Sequence, residues 1–221
     1  MIYKAELTAH SIFWFNSLTY PHSSGYVQKV MPVIHNYPLT IAFLGRLVEE
    51  SYVGPYNSPS YKGIKTLYKE GGIYVYPAVF DRTFYMRLTM SMSESDYVLY
   101  KPQTRWAVPI LTTNNVISVG SKATTYVISS EPLNVKYIRL GVKRGIMKVY
   151  LEEVKDYEEL KTSFSPNVAY NDKDVKSEGG FTLLRHKEGD VVFGGSAERG
   201  IRFKDENEEI YLPLPEFIEE V

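Results

Sequence analysis

Hydrophobic and polar positions alternate with a period of two along much of the chain, which predicts a protein built mainly from half-buried strands. Residues 2–15 (IYKAELTAHSIFWF) are rich in aromatic and β-branched side chains and predict the first strand. Residues 72–80 and 124–132 predict two further core strands, and residues 146–151 alternate in the same way after Gly145. Together these segments predict the strands of one sheet.

One segment has clear helical spacing. Residues 34–50 place Leu39, Phe43 and Leu47 on one apolar stripe, with Asn36 as the expected N-cap. We expect this helix to pack on the sheet.

Segments rich in glycine, proline, serine and asparagine predict the connections. Residues 16–34 and 51–72 predict surface loops, and residues 165–180 predict a polar linker. Residues 194–200 (GGSAERG) lack the lysine and the following helix of a phosphate-binding loop, so they are interpreted as a turn. Four short apolar segments near the C-terminus predict one or two hairpins: 181–186, 190–195, 200–205 and 208–215.

Residues 81–123 form an insertion between two predicted core strands, and their pattern predicts an ordered hairpin. A connection of this length is usually either functional or disordered, and the strand pattern here favours order. We expect it to project as an arm that contacts nucleic acid, with Trp106 stacking on an unpaired base. The alternative places Trp106 in the core at the root of the arm. The candidate contact residues of the arm are Arg82, Arg87, Lys101, Arg105, Trp106 and Lys122.

Residues 133–153 carry the densest positive charge. Pro132 and Gly141 suit the two ends of a short helix over residues 132–140, and a strand follows Gly145. A basic turn flanked by glycines can bring cations and backbone N–H groups to a phosphate chain. A solvated basic turn is the equally weighted alternative. Five cations lie within thirteen residues that contain no acidic side chain: Lys136, Arg139, Lys143, Arg144 and Lys148.

The net charge of −1 conceals a division along the chain of 221 residues. Residues 61–148 contain thirteen basic and five acidic side chains, whereas residues 149–221 contain nine basic and eighteen acidic ones. The basic middle suits a polyanion such as RNA, and the acidic end suits a protein neighbour or solubility. The chain has no cysteine, no signal-peptide pattern and no apolar run long enough to span a bilayer, so we expect a cytoplasmic protein without a membrane partner.

No catalytic or metal-binding motif is recognisable. The four histidines are scattered without the spacing of metal ligands, and no nucleophile elbow, Walker loop or dinucleotide fingerprint occurs, so no cofactor is expected. For His35 we favour a structural side chain bonded to nearby backbone over a catalytic one. Metal-free RNA cleavage needs only a well-placed histidine, tyrosine or lysine, so the sequence does not exclude it.

Three segments closely resemble the signatures of a known family: PVIHNYPLTIAFLG (32–45), GIYVYPA (72–78) and YIRLGVKRGIMKV (137–149). The family is the type I-D CRISPR effector subunit called Csc-one, of the Cas-five branch of the RAMP superfamily. The resemblance includes His35, Asn36 and Tyr37 as signature residues. Its basic segment falls on residues 139–144, including Gly141, which with Lys136 and Lys148 gives the expected RNA-binding set.

The resemblance implies an α+β fold: a ferredoxin-like or RRM-like domain over residues 1–152, with residues 81–123 as a β-hairpin thumb. Residues 153–221 would form an acidic β-hairpin extension packed on the same domain. The implied role is a non-catalytic subunit that binds the 5′ handle of the crRNA and caps a filament of Cas-seven-type subunits. It would adjoin a Cas-ten-type large subunit near the PAM of target double-stranded DNA. Whether this chain or the large subunit reads the PAM stays open.

Two other functions remain open from the sequence. One is a metal-independent endoribonuclease that cleaves repeat RNA, as some relatives in another CRISPR subtype do. The other is an unrelated β-rich module that binds carbohydrate or protein through its surface tyrosines.

Overall fold

The computed structural model describes the chain except for residues 15–17, 23–24, 46–63, 92–110, 142–144, 187 and 220–221. Its helices are α1 (Asn36–Leu44) and α2 (Ile64–Gly71). The strands of the first half are β1 (Ile2–Ala9), β2 (Leu18–His22), β3 (Gly25–Lys29), β4 (Val33–Ile34), β5 (Ile73–Val75), β6 (Ala78–Arg82), β7 (Tyr85–Ser91), β8 (Leu111–Ile117) and β9 (Lys122–Ser129). The remaining strands are β10 (Tyr137–Leu140), β11 (Gly145–Val154), β12 (Tyr157–Leu160), β13 (Tyr170–Asn171), β14 (Ser177–Glu178), β15 (Phe181–Leu184), β16 (Val191–Phe193), β17 (Ser196–Ala197), β18 (Gly200–Asp205) and β19 (Glu208–Pro213).

The central sheet is antiparallel and has the strand order β10-β11-β1-β9-β6-β4, with β5 also paired to β9. The predicted core strands are present, but residues 72–80 contribute to two strands, β5 and β6, and the first strand ends at Ala9 and not at residue 15. Strand β1 lies in the middle of the sheet, and its side chains alternate between the two faces. Ala5 and Leu7 are fully buried on one face, whereas on the other face Glu6 is exposed and Thr8 is half-buried.

The helix predicted over residues 132–140 is wrong. Residues 137–140 form β10 and pair with residues 145–148 of β11, which buries Ile138 and Leu140 and exposes Tyr137 and Arg139. Proline and glycine at the ends of the segment suit a strand and its turn as well as a helix, and the pairing with β11 decides between them.

The ferredoxin-like order is not confirmed, because both described helices precede β5 and the second helix expected by that order is the strand β10. The described part of the chain is β-rich with two helices.

Helix α1 begins one residue earlier than predicted. His35, not Asn36, is its N-cap, and the Nδ1 atom of His35 accepts a hydrogen bond from the Tyr37 N–H at 3.3 Å. The helix ends at Gly45, which has a φ of +66°. Helix α2 lies in the segment predicted as a loop over residues 51–72, so that prediction is wrong for residues 64–71.

The arm of residues 81–123 contains the predicted hairpin, formed by β7 and β8. The loop predicted over residues 16–34 is wrong, because β2 and β3 lie there and join the arm in a sheet of order β2-β3-β8-β7. Strand β3 pairs with β8 in parallel, with Val27 opposite Thr113.

The C-terminal region forms small sheets of order β12-β18-β19, β13-β16-β15 and β14-β17, which confirms the predicted hairpins. It covers half of one face of the central sheet, because Ile2 and Tyr126 share a buried cluster with Ile201 and Phe203. The other face carries α1 and a second cluster, which includes Leu7. Within the described residues, no helix is long and apolar enough to cross a membrane.

Candidate nucleic-acid interface

A row of five side chains crosses the half of the central sheet that the C-terminal region leaves open. Tyr137 on β10 lies opposite Lys148 on β11, and Lys148 lies opposite Thr8 on β1. Thr8 in turn lies opposite Lys122 on β9, and a bulge in β6 between Phe80 and Arg82 shifts the register so that Arg82 lies opposite Lys122. Side chains directly opposite one another point to the same face of a sheet. This basic row therefore spans four strand spacings, roughly 19 Å.

The charges of the basic row are not balanced within the row. Like charges directly opposite each other, as Lys122 and Arg82 are, destabilise a sheet unless an anion lies between them. The nearest carboxylates on this face, Glu6 and Asp81, belong to the next row, where Asp81 accepts a hydrogen bond from the Thr124 hydroxyl at 2.6 Å. The basic row is therefore suited to an anionic ligand.

Exposed aromatic and apolar side chains lie on the same face. Tyr137 and Tyr150 are 56% and 60% exposed. Ile146, which lies two positions before Lys148 on β11, is also exposed. The ring of His10 meets the ring of Tyr137 edge to face, with 6.1 Å between centroids. Aromatic rings interleaved with cations can stack on unpaired bases while the cations contact phosphates, which is the chemistry of single-stranded RNA or DNA binding.

Contacts of Phe84, at the start of the arm, hold Arg82 and Lys122 of the basic row in place. The guanidinium of Arg82 lies over the Phe84 ring, 5.3 Å from its centroid. The Phe84 backbone N–H donates to Ser121 Oγ at 2.9 Å, and its carbonyl accepts from the Ser118 N–H at 2.8 Å. These bonds tie the start of the arm to the turn before β9 and so keep Arg82 beside Lys122.

Two glycines let the β10–β11 hairpin pack closely against residues 13–14. Gly141 has a φ of +67°, and a Cβ atom there would lie 2.6 Å from the Trp14 carbonyl oxygen. A Cβ atom on Gly145 would overlap the Phe13 side chain. The predicted basic turn thus depends on Gly141 for its backbone path.

The sheet brings together residues that the sequence analysis placed in two separate groups. Lys148 from the basic stretch and Arg82 and Lys122 from the arm lie in one row, and Arg139 is exposed on the same face, opposite Ile146. Lys136 is exposed just before β10, and Arg87 is exposed farther along β7, outside the row. Five predicted contact residues lie outside the described residues: Lys101, Arg105, Trp106, Lys143 and Arg144.

The signature residues His35, Asn36 and Tyr37 are buried in a hydrogen-bond network away from the basic row. Asn36 Nδ2 donates to Asp174 Oδ2 at 2.7 Å, and Asn36 Oδ1 accepts from Asn171 Nδ2 at 3.0 Å. The network joins the N-terminus of α1 to the C-terminal region. These hydrogen bonds fix the C-terminal region against the helix.

Burial shifts the pKa values of two side chains in this network, His35 and Asp174. Burial lowers the pKa of His35 to about 4, and the ring is held by the Gly189 carbonyl, 3.1 Å from Nε2. Burial raises the pKa of Asp174 to about 6, although hydrogen bonds from Tyr74, Asn36 and Tyr37 favour its ionised form. Only 7% of His35 is exposed, which agrees with the structural interpretation favoured from the sequence.

Asn171 and Asp174 were missed by the sequence analysis because they lie in the segment predicted as a polar linker. That prediction is wrong: Val168, Tyr170 and Asn171 are buried, as is Asp174. The composition of the segment resembles that of a surface loop, and its polar side chains are buried because they bond to α1, which no local pattern reveals. In the described part of the chain, no group of three or more His, Cys, Asp or Glu side chains could hold a metal ion.

Two solved structures resemble the chain at low similarity. The chain resembles a solved structure titled as a CRISPR protein from Archaeoglobus fulgidus, with 13% identity, a TM-score of 0.42, and coverage of 96% of this chain and 100% of that one. It also resembles a chain of the type III-B Cmr-beta complex bound to cognate target RNA and AMPPnP, with 12% identity, a TM-score of 0.38, and coverage of 89% and 86%. Both TM-scores lie below 0.5, a level of similarity that does not assign a fold.

A search of curated proteins found no match. The profile of the family described as type I-D CRISPR-associated protein Cas5/Csc1 matches residues 1–214, which is nearly the whole chain. The resemblance found in the sequence is thereby confirmed, and the chain belongs to the type I-D CRISPR-associated Cas5/Csc1 family.

Proposed function

We propose that this chain is a non-catalytic subunit of a type I-D CRISPR RNA-guided complex and that its basic row binds the 5′ handle of the crRNA. The observation that carries the proposal is the register that aligns Tyr137, Lys148, Lys122 and Arg82 on one open face. A guide RNA supplies both the phosphates and the unpaired bases that such a face can bind.

The segregation of charge supports the same proposal. The middle of the chain, which provides the three cations of the row, is basic, whereas residues 149–221 are acidic. An acidic region beside a basic row repels the RNA backbone and so confines it to the row.

Membership of the family supports a proposal for the remaining partners. We expect the chain to cap a filament of Cas-seven-type subunits and to adjoin a Cas-ten-type large subunit near the PAM of target double-stranded DNA. The acidic C-terminal region is then available for protein contacts.

Purification of the assembly from cells tests this proposal. A tag on this chain should recover a short RNA whose 5′ end derives from the CRISPR repeat, together with filament subunits. Replacement of Lys122 and Lys148 by glutamate should remove the RNA without unfolding the chain. Recovery of the assembly without RNA, or unchanged RNA recovery by the folded double variant, would refute the proposal.

One observation favours a second function, metal-independent cleavage of repeat RNA. Exposed His10 lies edge to face against Tyr137, and Lys148 lies opposite Tyr137, so a histidine, a tyrosine and a lysine meet on the open face. His10 is better placed for this role than buried His35. Incubation of repeat RNA with the purified chain and EDTA tests it: site-specific cleavage that is lost in His10→Ala would establish the enzyme, and intact RNA would exclude it.

A further inference from the structure

A cleft of about 550 Å³ lies beside the basic row, between the central sheet and the C-terminal region. Thr124 and Tyr126 of β9 and Val79 of β6 line it from the central sheet, and Leu183 and Phe193 line it from the C-terminal region. Lys122 and Thr124 are two residues apart on β9 and so point to the same face. A molecule in this cleft would therefore lie next to a ligand of the basic row.

The rim of the cleft exposes an aromatic pair. Phe193 lines the cleft and is 42% exposed, and Phe181 lies directly opposite it on β15 and is 70% exposed. Two adjacent exposed phenylalanines that continue into a partly apolar cleft mark a surface that gains free energy when a partner covers it.

The charge of the cleft selects the kind of partner. Asp81, Asp205 and Glu208 line it, whereas Lys4 brings one positive charge, which Asp205 already pairs at 2.8 Å. The remaining carboxylates repel phosphate groups and attract a cation. The cleft therefore complements a protein segment that carries a lysine or arginine, and it disfavours RNA.

We propose that the cleft docks an extended segment of a neighbouring protein subunit. An apolar side chain of that segment packs against Phe181 and Phe193, and a lysine or arginine beside it pairs with Asp81 and Glu208. This inference rests on the proposed membership of a protein assembly and assigns one of its protein contacts to this cleft, but it does not depend on RNA binding. A partner docked in this cleft would lie directly beside the basic row.

A photo-crosslinker tests the location and the chemistry together. The chain is expressed with its neighbouring CRISPR-associated proteins and carries p-benzoylphenylalanine at position 181, and the crosslinked peptides are sequenced. The same substitution at exposed Glu159 on β12 is the matched control. We expect position 181, and not position 159, to crosslink to a different protein at an apolar residue with a lysine or arginine within three positions. Crosslinks to RNA, to another copy of this chain, to an acidic segment or to nothing would overturn the proposal.

A pair of variants separates docking from folding. Phe181→Ser combined with Glu208→Lys should reduce co-purification of the partner identified by crosslinking at least tenfold, while the urea denaturation midpoint of the purified chain stays unchanged. Glu159→Lys, the same charge reversal outside the cleft, should leave recovery unchanged. Unchanged recovery with the double variant overturns the proposal, and so does equal loss with both variants.

Discussion

Lys122 and Lys148 both lie directly opposite Thr8, one on each side of the central strand β1. The two lysines are 26 positions apart in sequence but about two strand spacings, or roughly 10 Å, apart on the sheet. Their alignment on the open face is what turns two dispersed basic segments into one candidate binding surface.

Removal of both lysines should weaken RNA binding and reduce its dependence on salt. Each phosphate contact on a single strand contributes a slope of about 0.7 in the logarithm of affinity against the logarithm of salt concentration, so Lys122→Ala with Lys148→Ala should lower the slope by about 1.4. Fluorescence anisotropy with a repeat-derived RNA at several salt concentrations measures it. The matched control is Lys161→Ala with Lys176→Ala, whose side chains are 80% and 75% exposed in the acidic region. Equal effects of the two pairs would contradict the assignment.

Tyr137 should contribute through its ring and not through its hydroxyl. Tyr137→Ala should cost about 1–3 kcal/mol of RNA affinity if the ring stacks on a base, whereas Tyr137→Phe should retain most of that affinity. The same binding assay reports both variants. Phe181→Ala removes an exposed ring outside the basic row and should have no effect on RNA affinity. Loss of affinity with Tyr137→Phe as large as with Tyr137→Ala would rule out stacking as the main contribution.

The hairpin between β10 and β11 should depend on Gly141 for two separate reasons. Gly45 and Gly141 have nearly the same φ, +66° and +67°, but a Cβ atom on Gly45 would contact nothing within 4 Å. Gly45→Ala should therefore cost only the strain of the left-handed backbone, about 1–2 kcal/mol. Gly141→Ala should cost more, because its methyl group also meets the Trp14 carbonyl oxygen. Urea denaturation compares the two, and equal costs would show that the approach to Trp14 is not constrained.

The buried network should make stability respond to pH in two opposing ways. His35 has a lowered pKa of about 4, so the unfolded chain binds more protons and His35 destabilises the fold as pH falls from about 6.5 to 4. Asp174 has a raised pKa of about 6, so its contribution to stability is present below about 3.8 and is lost as pH rises through 6. Each effect amounts to roughly 3 kcal/mol, and in the wild type they largely cancel.

Single substitutions should reveal the two contributions. Between pH 6.5 and 4, Asp174→Asn should lose more stability than the wild type on acidification, and His35→Gln should gain stability relative to the wild type. Urea denaturation at pH 6.5, 5.2 and 4 gives the change in stability with pH for the wild type, for both variants and for the exposed control Glu198→Gln. Parallel pH profiles for all four proteins would mean that neither group is perturbed in the fold.

The sequence predicted the elements whose periodicity is local. Strands β1 and β11 alternate apolar and polar residues over most of their lengths, β9 contains an aromatic and β-branched run over residues 126–128, and α1 is apolar over most of its length. The segment of β10 was wrongly predicted as a helix. A stretch of four residues is too short to distinguish the 3.6-residue period of a helix from the two-residue period of a strand, and only the pairing with β11 decides between them.

The candidate site was predictable in its residue types but not in its arrangement. Lys148, Lys122 and Arg82 were each expected to contact nucleic acid, yet only the strand register places them in one row. Asp174 was not predicted at all, because a buried carboxylate within a polar segment has no local signature. Contacts between distant parts of the chain are responsible in both cases.

Guide RNA bound on the open face should lie within crosslinking distance of its exposed tyrosines, and ultraviolet crosslinking of the purified RNA-bound assembly measures this position. Mass spectrometry of the crosslinked peptides should place RNA on Tyr137 and Tyr150, whose rings are exposed beside the basic row. Substitution of Lys122 and Lys148 by alanine should reduce both crosslinks together. Crosslinks confined to residues 153–219, with Tyr137 and Tyr150 unmodified, would contradict the account.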